Sequence, residues 1–176
     1  INLMTHQAGA KAVMAVYPTS LGLLDTPAAQ GADIVTGEGQ PLGMPLNYGG
    51  PYLGFLARKK ELTRLLPGRI VGQTKDAQGR RAFVLTLQAR EQHIRREKAS
   101  SNVCSNQALC AMTASVYMAA LGPQGFMQAA ELCYHKAHYF PSEMEKIPGF
   151  DLVYRGDFFN EFVQPVPLMP RRLKMH

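Results

Sequence analysis

Short apolar runs separated by breaks rich in Gly and Pro fill the first half of the chain, and longer helical patterns fill the second. Asn2 to Ala8 reads as the end of a helix stopped by Gly9, because the left-handed residue that closes a helix is cheapest as glycine. Ala12 to Val16 then predicts a short buried strand. Pro18, Thr19 and Ser20 form a loop at its carboxyl end, followed by an apolar turn (Leu21, Leu23, Leu24) and the breaker Thr26-Pro27. In open α/β sheets that carboxyl edge is where ligands bind. Ala32 to Thr36 predicts a second strand and Tyr52 to Leu56 a third. Lys59 to Leu66 has apolar residues at helical spacing, and Pro67-Gly68 ends it. Arg69 to Thr74 and Arg81 to Thr86 predict an exposed hairpin joined through Asp76-Ala77-Gln78-Gly79.

Leu87 to Lys98 (LQAREQHIRREK) is built of helix formers and carries Arg90, Arg95, Arg96 and Lys98 mixed with Glu91 and Glu97. It predicts either a solvated helix with local ion pairs or an anion site at its end, where Ser100, Ser101 and Asn102 follow the arginines. Asn106 to Leu121 is apolar almost all round, the pattern of a buried helix, and Gly122-Pro123 stops it. Phe126 to Tyr139 predicts a second helix, which Pro141 kinks or ends. Asp151 to Tyr154 and Phe158 to Val163 are short strand candidates. Residues 164–176 hold three prolines and a basic end, and are expected to be disordered. The alternation of helix and strand gives an α/β class, with a small α+β element starting near Pro148.

The stretch from Ala32 to Gly54 (ADIVTGEGQPLGMPLNYGGPYLG) organises the rest. Its glycines permit left-handed or closely packed backbone, and Pro41, Pro45 and Pro51 remove conformational freedom, so it reads as a loop of fixed shape or as a plain connector.

Composition narrows the class. With 176 residues, 46% of them hydrophobic, the chain can bury a core, and no apolar run is long enough to cross a bilayer. A cytoplasmic protein with no membrane partner is the expectation. The net charge of +6 allows an anionic partner. Cys104, Cys110 and Cys133 lack zinc or disulfide spacing and are expected to be buried thiols. His135 and His138 lie three apart on one helix face, but no third ligand accompanies them, so no metal is expected.

The phrases ADIVTGEGQPLGMPLNYGGPYLGFLARKK, PGRIVGQTKDAQGRRAFVLTLQAREQHIRREKASSNVCSNQALCA and ELCYHKAHY closely resemble the glycine decarboxylase, or P-protein, family of the glycine cleavage system, in particular its subunit 1. The resemblance implies a pyridoxal-phosphate (PLP) transferase fold of type I, a mostly parallel sheet flanked by helices. Residues 1–147 then form the carboxyl-terminal part of its large domain, 148–163 the start of a small α+β domain, and 164–176 a tail. It also implies the activity, decarboxylation of glycine with transfer of the aminomethyl group to the lipoyl arm of the H-protein. Beginning at Ile1 inside an αβ step and losing the resemblance after Val163, the chain reads as a fragment.

The residues qualify that implication. In this fold a lysine in the loop after the second strand binds PLP covalently, yet no residue from Gly37 to Leu56 is a lysine. Lys59 and Lys60 open the next helix and look solvated. The carboxylate expected against the pyridinium nitrogen is missing from Val16 to Thr19 as well. The chain is therefore expected to carry no catalytic residue of its own, with PLP held by the homologous subunit 2. Its expected part is to line the partner's site with Glu38, Gln40, Asn47, Tyr48, Gly49 and Gly50. A second set, Arg95, Arg96, Lys98 and Asn102, offers donors to the PLP phosphate, the glycine carboxylate or acidic groups of the H-protein, and His93 is a proton-transfer candidate. Three alternatives stand beside this reading: a PLP enzyme in its own right, a purely structural pseudo-subunit, and a basic module that binds nucleic acid through Arg80 to Lys98. The missing lysine argues against the first, and the absence of Trp and of aromatic interleaving against the last.

Overall fold

The computed structural model describes residues 2–99 and 105–165. Helix α1 (Asn2–Gln7) is followed by Gly9 at φ +73°, the left-handed stop that the sequence predicts. Strands β1 (Val13–Val16), β2 (Ile34–Glu38) and β3 (Gly54–Arg58) form one sheet in that order. β1 runs parallel to β2, with Val13 opposite Ile34 and Val16 opposite Gly37. β3 runs antiparallel to β2, with Ile34 opposite Arg58 and Glu38 opposite Gly54. β4 (Ile70–Lys75) and β5 (Arg81–Thr86) make a separate antiparallel hairpin. Its turn is set by Asp76, whose carboxylate accepts from the backbone N–H groups of Arg80 and Gln78 at 2.9 Å and from Arg80 Nε at 2.8 Å. Those donors, led by the Arg80 N–H, hold Asp76 below the usual carboxylate range.

The expectation of a mostly parallel sheet is corrected. Among the described residues the sheets are small and two of the three strand pairings are antiparallel. The reason is the connection: from β2 to β3 the chain turns straight back through residues 39–53, whereas a parallel neighbour needs a crossover like the one between β1 and β2. That crossover includes a 3-10 turn, Pro18–Gly22, which takes in the expected Pro18-Thr19-Ser20 loop and the start of the apolar turn.

Three helix expectations are also revised. Lys60–Leu65 is a 3-10 helix. Leu87 to Lys98 is not one helix: a 3-10 turn (Gln88–Arg90), a single α turn, α2 (Gln92–Arg95), and a second 3-10 turn (Arg96–Lys98) follow each other. Leu87 at φ +55° precedes the first 3-10 turn, Glu91 is extended (φ −82°, ψ 158°) before α2, and Arg96 at φ +53° follows it, so good propensity is interrupted at both ends of α2. Helix α3 (Ala108–Met144) bends at Gly122, with φ 63° and ψ 179°, so the predicted stop at Gly122-Pro123 separates two helical segments. The second continues past Tyr139, and Pro141 is fully buried within its last turn.

The first segment of α3 is not buried all round. Leu109, Met112 and Val116 are exposed, because the described elements cover one face only. On that face Leu42, Met44 and Ala114 form the core, with Leu53, Cys110, Tyr117 and Phe126 packed against them. The central loop is thus seated directly on α3. Along the second segment, a Cβ at Gly22 would fall 2.8 Å from Ala130 Cβ, and Ala130 is fully buried there. Cys110 and Cys133 are half-buried free thiols, rather than fully buried, since both sit at the margin of the covered face. Cys104 lies outside the described residues.

No strand forms over 151–165. Val153 N–H donates to the Val163 carbonyl at 3.0 Å, one backbone bond between the two strand candidates, and Gln164 Nε2 donates to the Phe150 carbonyl at 3.2 Å. Aromatic contacts hold this segment instead: Phe158 stacks on His138 at 4.0 Å and 5°, and Phe159 lies 6.1 Å from Tyr17. His138 is therefore a packing residue, not a free surface histidine. Of the expected tail, Gln164 and Pro165 are described and the remainder lies outside the described residues.

Candidate functional site

At the carboxyl ends of β1 and β2 a cleft of about 570 Å³ is lined by Val16, Tyr17, Ser20 and Glu38 on the sheet side and by Phe159 and Glu161 on the other. This is the edge that the parallel pair β1 and β2 predicts for ligands. Among the described residues no lysine, arginine or histidine lines it. Of the described residues singled out as site candidates from the sequence, Glu38 alone lines it. Tyr17, Ser20, Phe159, Asn160 and Glu161 were missed as site residues, and only the Pro18-Thr19-Ser20 loop gave a signal, through its place after a strand.

Glu38 also ties the central loop shut. Its Oε1 accepts from Gln40 N–H at 2.9 Å and from Leu53 N–H at 2.5 Å, and Gly39 N–H donates to the Leu53 carbonyl at 2.6 Å. The Gln40 side chain donates to the Met44 carbonyl. At the far tip, Asn47 and Gly50 exchange two backbone hydrogen bonds, of 2.6 and 2.9 Å. Between them Tyr48 and Gly49 have φ of +49° and +83°, the pair of left-handed residues of a tight hairpin turn. Glycine is normal in such a turn, while a left-handed Tyr costs about 1–2 kcal/mol. The Tyr48 side chain is nevertheless fully exposed. Glu38, Gln40, Asn47, Tyr48, Gly49 and Gly50 therefore belong to one stitched loop, with Glu38 and Gln40 at its base and the other four at its tip.

The basic segment stands apart. Arg90 donates from Nη1 to the Arg64 carbonyl at 2.7 Å and from Nη2 to the Gly68 carbonyl at 3.2 Å, so the segment packs on the Lys60–Leu65 turn. His93, Arg95, Arg96 and Lys98 are exposed there and do not line the cleft. Asn102 lies outside the described residues.

At the opposite, amino-terminal end of β2, Asp33 is buried and gathers three partners: Lys59 Nζ at 2.7 Å, His6 Nε2 at 2.8 Å and Ala12 N–H at 2.8 Å. These hold its carboxyl far below the usual range, Lys59 contributing most, then Ala12, then His6. Lys59 was expected to be solvated. It is half-exposed and paired, because the antiparallel return of β3 carries it back to the start of β2. Among the described residues no three His, Cys, Asp or Glu side chains gather to hold a metal ion, and no helix is long and apolar enough to cross a membrane.

The family profile described as "Glycine cleavage system P-protein" matches residues 1–167. The chain belongs to this family. It is 56% identical over 173 residues to the probable glycine dehydrogenase (decarboxylating) subunit 1 of Desulfitobacterium hafniense, a match covering 98% of this chain and 39% of that protein. With the same-named protein of Moorella thermoacetica it shares 57% identity over 167 residues, 95% of this chain and 38% of the other. A crystal structure of glycine decarboxylase (P-protein) of the glycine cleavage system, in inhibitor-bound form, matches with a TM-score of 0.90 at 48% identity, over 94% of this chain and 38% of that one. The chain thus spans about two fifths of the length of the curated relatives it matches.

P-proteins are in general PLP-dependent. The residues at this chain's cleft do not fit that cofactor. Among the described residues that line the cleft there is no lysine to bind the aldehyde and no cation to meet the phosphate, and Lys59 is paired with Asp33 at the other end of the sheet.

Proposed function

We propose that this chain is part of the non-PLP-bearing subunit 1 of a cytoplasmic glycine decarboxylase. In that enzyme the lysine-bearing subunit 2 holds PLP, glycine loses CO2, and the remaining aminomethyl group passes to the lipoyl arm of the H-protein. The observation that carries the reading is the Lys59–Asp33 pair. It occupies the lysine nearest the central loop on the edge away from the cleft, which leaves the cofactor chemistry to the partner.

On this reading the loop from Glu38 to Leu53 borders the partner's site. Glu38 and Gln40 fix its base, and the turn Asn47-Tyr48-Gly49-Gly50 presents its tip. The exposed His93, Arg95, Arg96 and Lys98 form a separate cationic patch for an anionic group, a phosphate or carboxylate of the bound species or an acidic face of the H-protein. Residues up to 147 belong to the large domain, and the segment after Pro148 begins the small one. Family membership, the identity above half with proteins named subunit 1, and the fold match support the reading.

The test is reconstitution. Subunit 1 containing this chain, subunit 2, or both are mixed with H-protein and PLP, and the exchange of CO2 with the glycine carboxyl group is followed. Exchange only in the complete mixture agrees with the proposal; exchange with subunit 1 alone contradicts it.

A further inference from the structure

We draw no further inference here: the strongest candidate, the apolar face of the first segment of α3 with Leu109, Met112 and Val116 exposed beside Gly43 and Tyr117, belongs to a chain that spans about two fifths of the length of its relatives, and nothing in the structure shows whether the rest of the same subunit or a second subunit covers it.

Discussion

Lys59 Nζ lies 2.7 Å from Asp33 Oδ1 at the amino-terminal end of β2, while the cleft opens at the carboxyl-terminal end of the same strand. The pair also joins three elements, since Asp33 takes His6 from α1 and the Ala12 N–H from the start of β1.

Asp33→Asn should therefore weaken the fold in a pH-dependent way. The carboxyl titrates near 3.9 in an unfolded chain and well below that here, so its contribution is complete above about pH 4 and is lost as pH falls through the lower folded value. Thermal melts at pH 7 should place the variant several degrees below the wild type, with the gap closing as pH approaches 2. A gap that stays constant down to pH 2 would mean that the charge plays no part.

The loop depends on the Glu38 carboxylate as an acceptor for two backbone donors. Glu38→Ala leaves both half-buried N–H groups without it, at a cost of about 1–3 kcal/mol, whereas Glu38→Gln keeps an acceptor oxygen and should retain most of the stability. Limited proteolysis between residues 39 and 53 reads the difference directly. Faster cleavage in the alanine variant alone is the expected result, and equal resistance in both variants would deny Glu38 its tying role.

Gly22 and Gly43 are among the glycines required by contact. A Cβ at Gly22 meets Ala130 Cβ at 2.8 Å and the Phe126 carbonyl at 3.2 Å, and one at Gly43 meets Tyr117 Cβ at 2.7 Å on a backbone with φ +85°. Gly22→Ala should cost about 1–3 kcal/mol by overpacking. Gly43→Ala should cost more, because its left-handed backbone adds a second penalty. Denaturant melts with an unchanged slope and a lowered midpoint would bear this out, and a stabilised Gly43→Ala would refute it.

How far the sequence discloses this molecule follows from where each signal is local. Gly9, the Asp76-to-Gly79 turn and Gly122-Pro123 carry their instructions in one or two residues, and the chain turns or bends at each. Leu87 to Lys98 misleads because propensity averages over a window, while two single residues, the extended Glu91 and the positive-φ Arg96, break the run. The direction of β3 is not local either, since it depends on how residues 39–53 close. Residues 151–165 show the same limit: their apolar spacing suits strands, but the available neighbour is the aromatic face of α3, so Phe158 stacks on His138 instead of entering a ladder. At the cleft, Tyr17 and Phe159 meet across more than a hundred residues, a pairing that no spacing rule discloses.

The central claim, that cofactor chemistry belongs to the partner, is met most directly by borohydride reduction with PLP of subunit 1 containing this chain, alone and mixed with subunit 2, followed by mass mapping of the pyridoxyl label. The expected result is a label on subunit 2 only, with Lys59 and Lys60 unmodified in both samples. A stoichiometric label on Lys59 or Lys60 would contradict it, since it would mean that the Asp33 pair opens and this chain holds the cofactor itself.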